Sequence, residues 1–335
     1  MQFAIAIPTD ADSWRVVRRA EELGFARAWF YDTQMLSADP FVAMAAAAIK
    51  TTKIRLGTGV LIPSNRIAPV TANAFASLNK LAPGRIDFGV GTGFTGRRAM
   101  GLGAVKLADM EEYVRTVMAL LRGETVEAEI ERKKRLIRLL NPELGLINTR
   151  DPIALWIAAS GPRARALTAK LGAGWIATAS DIEGAVAAMT DMQERRRAAG
   201  RETEPIDAVV LTGGAILEEG EPADAALAGL PMMAPMPPSV VETVAGYVEL
   251  ARKFTPQGAH YLENHRGHLM FVKPEERPFV TAELIRRTTY TATERELRER
   301  FAALAEAGYS EIAVQIVPGQ EHAIEDWGRI RRAFA

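Results

Sequence analysis

The 335-residue chain contains no cysteine. That excludes disulfides, thiolate zinc sites, cysteine-bound iron–sulfur clusters and cysteine nucleophiles, and it permits a reducing compartment. Net charge is missing too, since Lys plus Arg and Asp plus Glu both number 41. Such balance argues against a partner held by electrostatics, whether nucleic acid or a membrane surface. No apolar run in the sequence approaches the length needed to span a bilayer. The opening run Phe3–Ile7 is too short for a signal peptide and lacks its basic start, so the expected location is cytoplasmic. There is no Gly-x-Ser-x-Gly elbow and no Gly-x-x-x-x-Gly-Lys loop, which weakens nucleophilic hydrolysis and phosphoryl transfer. Histidine is scarce, with four in all. Three of them, His260, His265 and His268, fall in one stretch whose spacing matches no recognised metal constellation, so no metal is expected.

What is present is repetition. A helix tail, a glycine and an apolar strand recur at Gly24 before Ala28–Tyr31, at Gly172 before Trp175–Thr178, and at Gly308 before Ile312–Ile316. A glycine just past a helix closes the last turn in the left-handed conformation and returns the chain. Short runs apolar on both faces then read as strands of a buried parallel sheet. The other strand candidates are Phe3–Ile7, Ile54–Thr58, Ile86–Val90, Ile153–Ala158 and Ala208–Leu211, with Ile312 opening the last, to Val317. Amphipathic helical patterns separate most of them. Thr293 and Glu296 form a capping box before the last helix. Eight strands, each followed by helix, predict an α/β fold of the (β/α)8 TIM-barrel type in one domain over 1–335. Two stretches break the alternation: 123–150, read as a surface hairpin with a basic edge, and 220–291, read as a lid or binding insert.

Function is sought at the strand ends. Gly91-Thr-Gly93-Phe-Thr-Gly96 matches a dinucleotide-binding turn, but Met100–Gly103 interrupts the helix that should follow, and the acids Asp109, Glu111 and Glu112 sit at a helix start. The glycines suit instead a place where backbone lies against a flat ligand. Ala158-Ala159-Ser160-Gly161-Pro162-Arg163 ends a strand and opens a helix, a natural anion site, with Arg163 or Arg165 available to neutralise charge. Ser160 could equally be only a cap. A second hydroxyl-bearing turn, Thr178-Ala179-Ser180-Asp181, ends the next strand, and two such turns side by side favour a phosphate-bearing cofactor. Gly57-Thr58-Gly59-Val60 adds a bulge-like turn.

These turns, in this order, resemble the luciferase-like flavin monooxygenase superfamily, and among its shorter members methylenetetrahydromethanopterin reductase and other deazaflavin-dependent enzymes. The resemblance is carried by Ala20–Phe25 with Trp29–Asp32, Gly57–Val60, Leu78–Gly93, Ala158–Pro162 and Ala305–Tyr309. It implies an oxidoreductase, monooxygenase or hydride-transferring reductase, that binds FMN or coenzyme F420 and acts on a small organic substrate as a homodimer or larger homo-oligomer. It implies that Thr58, Gly59 and Val60, with a non-proline cis peptide near Gly59–Val60, and Gly91, Thr92 and Gly93 hold the ring. Ala159, Ser160 and Gly161, with Thr178 and Ala179, would hold the phosphate. Asp32 is followed by Thr33 and Gln34, where many relatives have a histidine. Phe94 stands where the sugar-phosphate dehydrogenase branch has a glutamate. The remaining candidates for proton work are Asp32, Tyr31 and His260. The rivals are a cofactor-free barrel enzyme acting on a phosphorylated substrate and a flavin-binding protein without turnover.

Overall fold

The computed structural model describes residues 1–179, 181–223, 244, 246–253 and 256–334. Eight parallel strands close into a ring: β1 (Gln2–Ile7), β2 (Arg27–Phe30), β3 (Arg55–Thr58), β4 (Ile86–Val90), β5 (Ala154–Ala158), β6 (Gly174–Thr178), β7 (Ala208–Thr212) and β8 (Glu311–Gln315). β1 pairs with both β2 and β8, which seals the barrel. Every expected strand is present within two residues of its reading. The expected helices form as well, among them Trp14–Glu22, Pro40–Lys50, Ala68–Leu81, Leu107–Leu121 and Pro162–Leu171. Helix Glu294–Ala307 starts on the full Thr293/Glu296 capping box and stops at Gly308, whose φ of 109° is open to glycine. A final helix, Ala323–Arg332, was not anticipated.

Strand alternation divides the core. Phe3, Ile5, Ile7, Phe30, Phe88 and Val314 face the helices, whereas Ala4, Ala6, Trp29, Tyr31, Trp156, Ile176, Val209 and Ala313 fill the barrel interior. Beneath the tryptophans, where the strands begin, the filling is ionic. Arg27 binds Asp87 at 2.8 Å and also Glu311. Trp29 Nε1 donates to Glu311 at 3.1 Å, and Arg55 completes Asp87 at 2.7 Å. Burial works against the charge of Arg27, but Glu311 and Asp87 outweigh it and raise its pKa.

The first irregular stretch is a hairpin, Val126–Ile130 against Lys133–Ile137, turned at Glu131 and Arg132. Its basic strand is exposed, and Lys134 pairs with Glu127 at 3.1 Å. The described part of the second stretch packs with Leu217, just before it, into a small separate core of Ala223, Tyr247, Val272, Val280, Leu284 and Ile285. Its Leu230–Pro238 segment lies outside the described residues.

Candidate active site

At the C-terminal rim the sequence-read residues fall into three groups. Ser160 and Thr178, at the ends of neighbouring strands β5 and β6, bring their exposed hydroxyl oxygens within 3.3 Å. Gly161 then caps helix Pro162–Leu171, which starts with no side-chain cap. Gly161 has an ordinary φ of −99°, and a Cβ built on it would meet nothing within 4 Å. Neither the fold nor the backbone requires glycine there, so the clearance is free for something else. Arg165 is not available to neutralise it. Its guanidinium is tied to Asp191 at 2.5 Å and to the Ser160 carbonyl at 2.6 Å, so of the two expected arginines only Arg163 is exposed. Ala159 is buried, and its carbonyl accepts from Trp175 Nε1 at 2.8 Å. Ala179 is half-buried beside the exposed Thr178, and Ser180 lies outside the described residues.

The glycines in and just after β3 and β4 lie close against the chain itself. A Cβ on Gly57 would lie 2.6 Å from the Trp29 ring, and one on Gly59 2.7 Å from Trp29 Cβ. A Cβ on Gly91 would lie 2.6 Å from Val60, and Gly93, at φ 82°, is hemmed by Arg97 and Ile62. Their smallness answers to the chain's own packing. Thr58 is fully buried, and its hydroxyl donates to the Gly89 carbonyl at 2.6 Å while accepting from Gly89 N–H. It ties β3 to β4 and presents nothing to the rim. Val60 remains half-buried at the mouth, and the Gly59–Val60 peptide is cis. Thr92 is half-buried, its carbonyl accepting from Val105 N–H at 2.8 Å.

The third group was read as proton carriers. Asp32 is buried and saturated: Ile62 N–H donates to it at 3.0 Å, Asn65 at 3.1 Å and Arg66 at 3.1 Å. Gln34, one residue past the Thr33 that follows Asp32 in place of a histidine, accepts from Asn65 at 2.7 Å and donates to the Gly96 carbonyl at 3.2 Å. Asp32 therefore fixes the loop after β3 to the end of β2. Tyr31 faces the barrel interior, where burial pushes its phenol far above the ordinary range. His260 is half-buried and partnered at the start of helix His260–His265. Sequence reasoning did not count His268 among the proton carriers; its Nε2 lies 3.0 Å from Thr95 Oγ1 in the short helix Phe94–Arg98 that follows β4. Burial, with a smaller push from His265, lowers its pKa to about 3. Spacing could not single it out, because only the return of the insert across the barrel brings it to the rim.

The fold is an α/β barrel whose rim at β5–β6 sets two exposed hydroxyls beside an uncapped helix start. Residues 8–311 match the family model described as luciferase-like monooxygenase, and the chain belongs to that family. It is 36% identical over 143 residues to an F420-dependent glucose-6-phosphate dehydrogenase of Beutenbergia cavernae, covering 40% of each chain. It is 26% identical over 249 residues to a 5,10-methylenetetrahydromethanopterin reductase of Archaeoglobus fulgidus, covering 72% of this chain and 73% of that one. The chain spans about half the length of most of the curated relatives it matches, for instance 40% and 48% of two of them. The solved coenzyme F420-dependent tetrahydromethanopterin reductase of Methanopyrus kandleri superposes with a TM-score of 0.73 at 21% identity, covering 98% and 97% of the two chains. At that identity the likeness speaks for the fold.

Proposed function

We propose that this protein is a deazaflavin- or flavin-dependent oxidoreductase whose rim at β5–β6 holds the cofactor phosphate. One observation carries the reading: an unforced glycine, Gly161, opens an uncapped helix start beside the exposed hydroxyls of Ser160 and Thr178. Helix starts favour anions, and a missing Cβ lets a phosphate approach the backbone. Ser160, Gly161, Thr178 and Ala179 would hold the phosphate, and Val60 with the backbone of Gly59, Gly91, Thr92 and Gly93 would border the ring. When bound, such a cofactor carries a hydride, and FMN in its reduced form also activates oxygen. The chain's own part is to bind, orient and exclude water. Coenzyme F420 is the favoured choice, because the matched curated relatives include F420-dependent dehydrogenases. Family membership favours this reading over a cofactor-free barrel enzyme.

The substrate is proposed to be a small organic molecule met by an apolar wall. Phe94 is exposed where the sugar-phosphate branch has a glutamate, and Arg98 stacks on it at 4.0 Å. A single domain of cytoplasmic location, in a homodimer, completes the reading. Helix Pro40–Lys50 supports the dimer, since it buries Ala43, Met44, Ala47 and Ala48 yet leaves Val42 and Ile49 58% and 67% exposed. A helix apolar on all sides calls for a cover on its outer face, and a second copy supplies one.

The test is a titration with F420 and with FMN, followed by oxygen uptake with the reduced cofactor. Micromolar binding of either, lost in Gly161→Asp, is the expected result. Binding of neither removes the proposal, and oxygen use coupled to substrate conversion selects a monooxygenase.

A further inference from the structure

We propose that His268–Leu269 is a strap latched across the barrel mouth, a plug that must unlatch before a redox ring can seat. The segment belongs to the insert between β7 and β8, yet it is fixed to opposite sides of the barrel. On one side His268 Nε2 meets Thr95 Oγ1 at 3.0 Å, just beyond β4. On the other, Gln315 Nε2, at the end of β8, donates to the Leu269 carbonyl at 3.0 Å. In the closed order of the barrel, β4 and β8 stand four places apart in either direction, so the two latches span its diameter. Between them Leu269 packs onto the interior cluster of Trp29, Tyr31 and Trp156 that Val60 and Ala158 also border. Leu269 and Val60 thus pack against the same cluster, and a ring seated beside Val60 would compete with Leu269 for it. The cofactor half of the inference rests on the function proposed above.

The closed arrangement carries its own opposing costs. Leu269 holds a left-handed backbone at φ 61°, which an L-residue with a bulky side chain rarely adopts. His268 Nδ1 is buried with no hydrogen-bonding partner among the described residues, and an unpaired buried polar atom is unfavourable. The turn before them is tight as well: Gly267 has φ 81°, and a Cβ on it would lie 2.7 Å from the Phe271 carbonyl oxygen. Among the described residues, the Thr95 and Gln315 hydrogen bonds and the packing of Leu269 tie the strap to the barrel against these costs. A contact so balanced can exchange with a ligand.

The experiment compares the wild type with Thr95→Val and Gln315→Ala, each cutting one latch and neither touching Ser160, Gly161 or Thr178. Two readouts are taken: hydrogen exchange of the amides at 268–271, and the association rates of F420 and FMN in stopped flow. Each variant should speed both by about 2- to 10-fold, the loss expected for one hydrogen bond, and the double variant by more. Unchanged exchange in both variants would show that these contacts do not hold the strap and overturn the proposal. Faster exchange with slower association would make the segment a fixed wall of the site and overturn it equally. If neither cofactor binds any of the proteins, the cofactor assignment fails, and acrylamide quenching of the interior tryptophans decides the strap by itself: quenching should rise in the latch variants, and unchanged quenching refutes it.

Discussion

Trp29 occupies the space that side chains at Gly57 and Gly59 would need, with a built Cβ falling 2.6 Å from its ring in one case and 2.7 Å from its Cβ in the other. The Gly59 contact is close to the backbone of Trp29, so no flexible tip can swing aside. Gly59→Ala should therefore destabilise the fold by about 1–3 kcal/mol, the usual range for overpacking a filled interior. Urea unfolding followed by fluorescence checks it. A stability equal to wild type would mean that the strand shifts at no cost.

Gly161 predicts the reverse behaviour. With open space where its Cβ would stand, Gly161→Ala and Gly161→Asp should unfold at the wild-type urea midpoint. The aspartate places a carboxylate in the proposed anion site and should weaken FMN or F420 binding by about tenfold or more, a repulsion of about 1–2 kcal/mol at close range. Calorimetric titration reads the affinity, and an unaltered value in the folded variant removes the phosphate assignment.

Arg27 is the shared cation of a buried cluster. Arg27→Met leaves Asp87 paired with Arg55 but leaves Glu311, among the described residues, with only the Trp29 N–H. Stranding a buried carboxylate in this way costs about 3–5 kcal/mol. Replacing Glu311 by Gln in the same protein should recover much of that loss, and a double variant no more stable than Arg27→Met would contradict it.

Acid should loosen the mouth before it unfolds the barrel. Burial depresses the pKa of His268 to about 3 and also lowers that of His265, to which Arg98 and Lys273 add a smaller push. The unfolded histidines titrate near the ordinary value of about 6.5. Between those limits the unfolded chain binds more protons, so stability is complete above about pH 6.5 and falls as the pH drops towards 3. At pH 5 the loss is about 2 kcal/mol for His268 alone. The difference between urea midpoints at pH 7 and pH 5 should shrink in His268→Gln, and an equal difference in both proteins would refute it.

The barrel was legible because its signals are local. Glycine after helix, two-sided apolar strands and a capping box each act over a few residues, and Gly24, Gly172 and Gly308 all take the positive φ that their positions implied. The meeting of the Ser160 and Thr178 turns was legible for the same reason: Ser160 and Gly161 are adjacent in sequence, and Thr178 follows one βα unit later. The causes of the other glycines were not. Gly59 answers to Trp29 and Gly91 to Val60, pairings that exist only once the barrel is closed. Asp32 looked like a proton carrier because its three donors, Ile62, Asn65 and Arg66, lie about one βα unit away. His268 was hidden most deeply, since its partner Thr95 is 173 positions distant along the chain.

The anchoring of Asp32 bears on how this mouth could be recut. Its carboxylate staples the loop that follows Gly59–Val60, while the Thr58 hydroxyl clamps the strand before it. That stretch of the rim is thus fixed masonry, and directed evolution towards new substrates would find its latitude at the exposed ring of Phe94 and where the strap is latched, at Thr95 and the strand-end glutamine at 315.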